Sequence, residues 1–213
     1  AWYIRERFEA LQLNPWFHPD VNVQRKGDNP SKDDPFYANY GTVILPGDIL
    51  HTDVGICYLK LCTDTQEMGY VLNLGESSVP NGLKNALAEG NQWQDSLTNE
   101  FKTGKTGNEI LASAATSAKQ QGLLASIYTH PIGFVGHAIG PTIGMWDNQG
   151  PTPIQGDWQL NNNTAYAIEG NIKAQLPEWN NQWIQIKLEQ TALFNGTEVL
   201  YLGGRQTQWH VVK

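Results

Sequence analysis

Cysteine is scarce in this chain, with only Cys57 and Cys62 among 213 residues. That excludes a scaffold built on disulfides, which a chain of this length does not need, because it can bury most of its unfolded surface. Two cysteines leave the redox compartment undecided. Basic residues are also in deficit: 14 Lys and Arg stand against 21 Asp and Glu, a net charge of −7. This excludes the positive footprint expected of a nucleic-acid or anionic-membrane binder. No apolar run approaches the roughly 18 residues of a membrane span, and no cationic-then-apolar leader opens the sequence. Repeats and low-complexity tracts are missing as well. What remains is 40% hydrophobic and 16% charged residues, the balance of a globular chain rather than a disordered one. The length suits one large domain or two small ones.

Trp2, Ile4, Phe8 and Leu11 recur at helical spacing and predict an amphipathic helix over residues 1–12. A short strand is expected around Val21–Gln24, then a polar loop over 27–40 of a length that is often functional. Leu45-Pro46-Gly47-Asp48 reads as a turn. The apolar stretch Ile49–Leu61, closed by Cys62-Thr63-Asp64, reads as a hairpin, with a further strand from about Met68 to Leu74. Residues 81–102 and 106–121 predict two helices, with Asn81 and Thr106 as N-caps. Glu109 stands three residues after Thr106, the capping-box spacing, and Gly122 is a C-terminal stop. Strand-like runs follow at 164–169, 182–195 and 198–202. Helices flank strands without regular alternation, so the fold class is α+β.

Five residues could carry chemistry: Asp53, Asp64, His137, Glu169 and Glu189. The aspartates bracket the apolar stretch eleven positions apart. In a hairpin centred on Tyr58-Leu59 they would face each other with Cβ atoms roughly 4.5–5.5 Å apart. Two carboxylates so placed repel, and a divalent cation between them reverses the sign. Tyr58-Leu59 is poor chemistry for a two-residue turn, which leaves the register open and favours a longer loop. In that register the two cysteines are diagonal, too far apart for a disulfide, and read as buried thiols. His137 lies in the glycine-dense segment HPIGFVGHAIGPTIG, and imidazole is a common metal ligand. Glu169 and Glu189 end apolar runs, where an unpaired charge is costly. Each alone has an ordinary explanation, as a turn aspartate, a loop histidine or a salt-bridged edge residue near Lys173 or Lys187. Together they supply four carboxylates and an imidazole, enough for a two-metal site.

The segment LPGDILHTDVGICYLKLCTDTQEMGYV resembles the first metal-binding hairpin of the pita-bread metallopeptidases. GHAIG at 136–140 resembles that family's GHGIG, AIEGNI its Glu-Pro-Gly segment and IKLEQTALF its Arg-Ile-Glu-Asp segment. The resemblance covers nearly the whole chain and implies a pita-bread fold, an antiparallel sheet covered by helices. It implies a single catalytic domain over 1–213 without the additional N-terminal domain of the proline-peptidase and creatinase branch, which the short step from Glu169 to Glu189 favours. It also implies two divalent ions, Mn foremost with Co, Zn or Fe as alternatives, held by Asp53, Asp64, His137, Glu169 and Glu189. Attack on the first peptide bond of a short peptide, X-Pro foremost, would come from water or hydroxide between the ions, with Glu169 as general base. Family members often form homodimers.

The sequence departs from the family at several positions. The family places a second histidine seven residues after its ligand histidine, where this chain has Gly144; a two-residue insertion would bring Trp146 there instead. His18 and His130 are candidates for further catalytic histidines of the family, and Lys187 stands where the family has Arg. Trp146 and Lys187 are thus the expected substrate contacts. Two other functions stay open: a hydrolase of the same fold acting on a small amide or ester, and a non-catalytic metal- or peptide-binding homologue.

Overall fold

The structure, a computed structural model, describes residues 1–28 and 43–213. Most of the polar loop read at 27–40 falls outside the described residues. In chain order the strands are β1 (Asn14–Pro15), β2 (Asp20–Gln24), β3 (Ile49–Val54), β4 (Ile56–Tyr58), β5 (Leu61–Cys62), β6 (Thr65–Val71), β7 (Leu124–Ile127), β8 (His130–Pro131), β9 (Thr164–Leu176), β10 (Gln182–Phe194), β11 (Val199–Tyr201) and β12 (His210–Val212). The helices are α1 (Trp2–Ala10), α2 (Asn81–Thr98) and α3 (Gly107–Gln120). The large sheet runs β2-β3-β6-β10-β9-β7, with β8, β11 and β12 joining β9, β10 and β6. Its pairings are antiparallel except for β12 on β6. A second, small sheet contains β1, β4 and β5.

The long β9–β10 ladder decides where core and site lie. Along β10, Ile184, Ile186 and Leu188 are buried, and Ile172, Ala174 and Leu176 alternate in the same way along β9. Helix α2 lies against this apolar face with Leu83 and Leu87, then Trp93 and Leu97, two i, i+4 pairs that fall along one stripe. Helix α3 adds Ile110, Leu111 and Ala114. Each fully buried Leu or Ile contributes about 1.5–3 kcal/mol of transfer free energy. Helix α3 starts as its sequence predicts: Thr106 accepts from the Glu109 backbone, and the Glu109 carboxylate accepts from the Thr106 N–H.

Three local expectations are corrected. The cap before α2 is Pro80, not Asn81, which is already the first helical residue. Helix α1 forms but buries no residue; Trp2 remains 73% exposed. The third concerns the hairpin, where Asp53 opposes Gln66 and Cys57 opposes Cys62, so the register differs by two positions from one that pairs Asp53 with Asp64. Its turn is the two-residue Leu59-Lys60, both in the left-handed region at φ 49° and 65°. That conformation matches the twist of the flanking strands, and neither residue is one that composition would nominate for it. Because Cys57 and Cys62 are directly opposed, they form a disulfide. Among the described residues, no helix is long and apolar enough to cross a membrane.

Candidate metal centre

The face of the β9–β10 ladder turned away from the helices is polar, and the candidate residues gather there. Glu169 and Glu189 are direct cross-strand partners. Glu189 also opposes Gln66 on β6, and Gln66 in turn opposes Asp53 on β3. Asp64 sits in the bend between β5 and β6 and is 4% exposed. His130 comes from β8, beside β9. These residues and His137 form three overlapping groups in which potential ligand atoms all lie within 4.8 Å: Asp53, Asp64 and Glu189; His130, Glu169 and Glu189; Asp64, His130 and His137. All five residues expected to bind metal are therefore brought together.

The two histidines stand differently. His130 is buried, with Nδ1 3.1 Å from the Pro131 carbonyl oxygen. That carbonyl can only accept, so Nδ1 carries the proton and Nε2 presents its lone pair. Nε2 lies 3.8 Å from Asp64 Oδ2, 3.7 Å from Glu169 Oε2 and 3.7 Å from Glu189 Oε1. Burial lowers the imidazole pKa to about 4, so it is neutral. His137 is exposed, its ring centroid 4.3 Å from that of His130.

Packed together in a buried cluster, the carboxyls resist ionisation. Burial first, then Asp20, pushes Asp53 up to about 7. Burial, then Asp53 and Glu169, pushes Asp64 up to about 9. Burial, then Asp53, raises Glu169 to about 8. Glu189 is raised well above the usual carboxylate range by burial and then by Glu169. Lys187 draws Asp53 and Glu169 down but does not offset this. Four buried atoms, Asp53 Oδ1, Asp64 Oδ1, His130 Nε2 and Glu189 Oε1, have no hydrogen-bond partner. Buried acceptors are normally satisfied. Orphaned oxygens around a neutral imidazole lone pair form a donor set that fits divalent cations accepting O and N ligands.

Adjoining cavities of about 320 Å³ and 280 Å³ open onto this cluster. Trp146 lines both; Lys187, Asn171, Gln185 and Asp20 line the smaller. His18 does not line either cavity. It is exposed and lies tilted against Trp2, ring centroids 4.7 Å apart, while Asp20, two residues later at the start of β2, pairs with Asp53.

Several contributors were not singled out from sequence. Trp16 lies edge-on to His137 at 5.2 Å and donates its indole N–H to the Thr63 carbonyl, 2.9 Å away. A Cβ at either Gly55 or Gly136 would collide with this indole, so both positions require glycine for close approach. Tyr128 borders both imidazoles. Gln66 donates to Glu169 Oε1 at 2.8 Å and to Glu189 Oε2 at 2.9 Å. Its own carbonyl oxygen lies 2.9 Å from His51 Nε2. Asp20, Gln66 and His51 become visible only once the strand register is known.

The profile of metallopeptidase family M24 matches residues 3–195. Among solved structures, X-Pro aminopeptidase from Thermotoga maritima superposes with a TM-score of 0.65 at 19% identity, covering 93% of this chain and 50% of that one. Xaa-Pro dipeptidase from Bacillus anthracis gives 0.67 at 18% identity, covering 97% and 52%. Methionine aminopeptidase from Thermotoga maritima gives 0.63 at 18% identity, covering 93% and 82%. At these identities the likeness shows the pita-bread fold, and the chain spans about half the length of the two X-Pro peptidases. No curated protein sequence matches it.

Proposed function

The chain belongs to metallopeptidase family M24, and from that premise we propose that it hydrolyses the first peptide bond of short peptides, X-Pro foremost, at a centre of two divalent cations. The observation that carries this reading is the set of four orphaned buried atoms converging from Asp53, Asp64, His130 and Glu189. Asp53, Asp64 and Glu189 would hold one cation and His130, Glu169 and Glu189 the other, so that Glu189 joins both groups. Bound cations would polarise the scissile carbonyl and lower the pKa of water.

The metal-ligand role assigned to His137 on sequence is better given to His130. His130 is the buried imidazole facing three carboxylates. His137 follows it by seven residues, the family's interval from ligand to second histidine. Gly144 and Trp146 then no longer mark a missing histidine. His137, exposed beside the cavity and backed by Trp16, is positioned to meet substrate. Glu169 has the one carboxyl that borders both cavities and groups with His130, which suits it to accept the proton of the attacking water and return it to the leaving amine. Trp146 and Lys187 would contact the peptide. Manganese is the first cation to test.

The experiment is elemental analysis combined with an X-Pro dipeptide assay. About two cations per chain with Mn-stimulated cleavage is the expected result, and Asp64→Ala should abolish both. Unchanged metal content in that variant refutes the centre. Full metal content without cleavage of any dipeptide points instead to a small-amide hydrolase or a binding protein of the same fold.

A further inference from the structure

Gln66 carries an amide into a site otherwise built of acids and imidazoles, and a buried chain of hydrogen bonds leads up to it. Asn22 donates to Asp20 Oδ2 at 2.7 Å, and its amide nitrogen lies 3.4 Å from His51 Nδ1. His51 Nε2 lies 2.9 Å from Gln66 Oε1, and Gln66 Nε2 reaches Glu169 and Glu189. Asn22, His51 and Gln66 are each 5% exposed or less.

The chain has one consistent direction. With both glutamates ionised, as cation ligands must be, the Gln66 amide turned the other way would press its oxygen against two carboxylates, so its nitrogen faces them and its oxygen accepts. His51 is then the Nε2–H tautomer, and its Nδ1 accepts from Asn22. The Gln66 backbone is held too: its carbonyl accepts from Gln190 Nε2 at 3.1 Å, and Gln190 Oε1 accepts from Gln94 at 2.7 Å. Gln66 spends its two N–H groups on Glu169 Oε1 and Glu189 Oε2. The oxygens left over, Glu169 Oε2 and Glu189 Oε1, are those 3.7 Å from His130 Nε2.

We propose that Gln66, oriented by His51, Asn22 and Asp20, is a positioning residue that selects which oxygen of each glutamate is offered to the cations. This inference rests on the metal-centre reading above and adds to it the device that sets cation affinity. The competing explanation is that the chain only satisfies buried polar groups.

Manganese titration by calorimetry, alongside thermal unfolding of the metal-free protein, separates the two. Gln66→Met keeps the volume and removes the donors; it should weaken Mn²⁺ binding about 10- to 100-fold, the range for lost outer-shell partners. His51→Leu should weaken it less, and His51→Gln, whose amide can still donate to Gln66, should restore it. The double variant Gln66→Met/His51→Leu leaves no unpaired partner at the His51–Gln66 bond, so it should regain part of the metal-free stability lost in the single variants while Mn²⁺ binding stays weak. Unaltered Mn²⁺ affinity in the folded double variant overturns the proposal. If the unsubstituted protein binds no Mn²⁺, Co²⁺ or Zn²⁺, the metal-centre reading falls and this inference with it. Wild-type affinity in the variants, against measurable binding in the parent, removes this inference alone.

Discussion

The two faces of the β9–β10 ladder share the same backbone and obey opposite rules. Toward the helices, Ile184, Ile186 and Leu188 meet Ile172 and Ala174 in the buried core. On the other face, Gln185, Lys187 and Glu189 oppose Lys173, Asn171 and Glu169. One face is stabilised by what it buries; the other holds carboxyls that burial opposes. Because side chains alternate at a period of two, a slip of one residue between these strands would exchange the faces wholesale. The apolar face therefore holds the register that the acidic face needs, and the acidic face lowers the stability of the metal-free protein.

The sharpest way to break this contrast is Glu189→Gln, which removes the carboxylate common to two of the ligand groups. Cation binding should be lost by titration, while the metal-free protein unfolds at a higher temperature because a buried acid is gone. Ile186→Ala, on the opposite side of the same strand, should do the reverse. A cost of about 2–5 kcal/mol is expected by denaturant unfolding, with cation stoichiometry unchanged in the folded protein.

The contrast also has a pH signature. Asp53, Asp64 and Glu169 titrate at about 7, 9 and 8 in the folded metal-free chain, against about 4 when unfolded. Their folded form holds protons that the unfolded form has released, so their contribution is fully present below about pH 4 and lost as pH rises to 9. His51 and His130 are lowered to about 3 and 4 and act oppositely, losing stability as pH falls below about 6.5. Between pH 6.5 and 9 the carboxyls alone change, so the metal-free melting temperature should fall across that window. Saturating Mn²⁺ should flatten or reverse the slope, and an unchanged slope contradicts cation binding by these groups. The smallest effect expected is from reducing Cys57–Cys62. It closes a loop of only a few residues, worth about 2 kcal/mol by chain entropy, read as a modest fall in melting temperature on adding a dithiol.

Much of this organisation was legible in the sequence where local rules apply. The alternation in TAYAIE and WIQIKLE located β9 and β10, and Thr106 with Glu109 located the start of α3. Asp53 and Asp64 stood out as acids bracketing an apolar stretch, Glu169 and Glu189 as acids ending apolar runs. Legibility failed where pairing decides. The left-handed turn at Leu59-Lys60 has none of the usual Asn or Gly, so the hairpin register, and with it the cysteine pairing, could not be read. The glycines around His137 drew attention from His130, whose burial comes from a two-residue strand too short to show a period. Gln66, His51 and Asp20 look like ordinary strand residues until their cross-strand neighbours are known.

The indole of Trp16 ties three distant stretches of sequence into one packing decision. It fills the volume that side chains at Gly55 and Gly136 would need, so the link beyond Asp53 and the approach to His137 are not free to vary separately. A bulkier residue at either glycine is compatible with this fold only after position 16 has become smaller, and that change would strip the backing from His137. Substitutions along this edge of the molecule are thus ordered in time: the tryptophan must yield first, and His137 loses its support before any alternative packing becomes available.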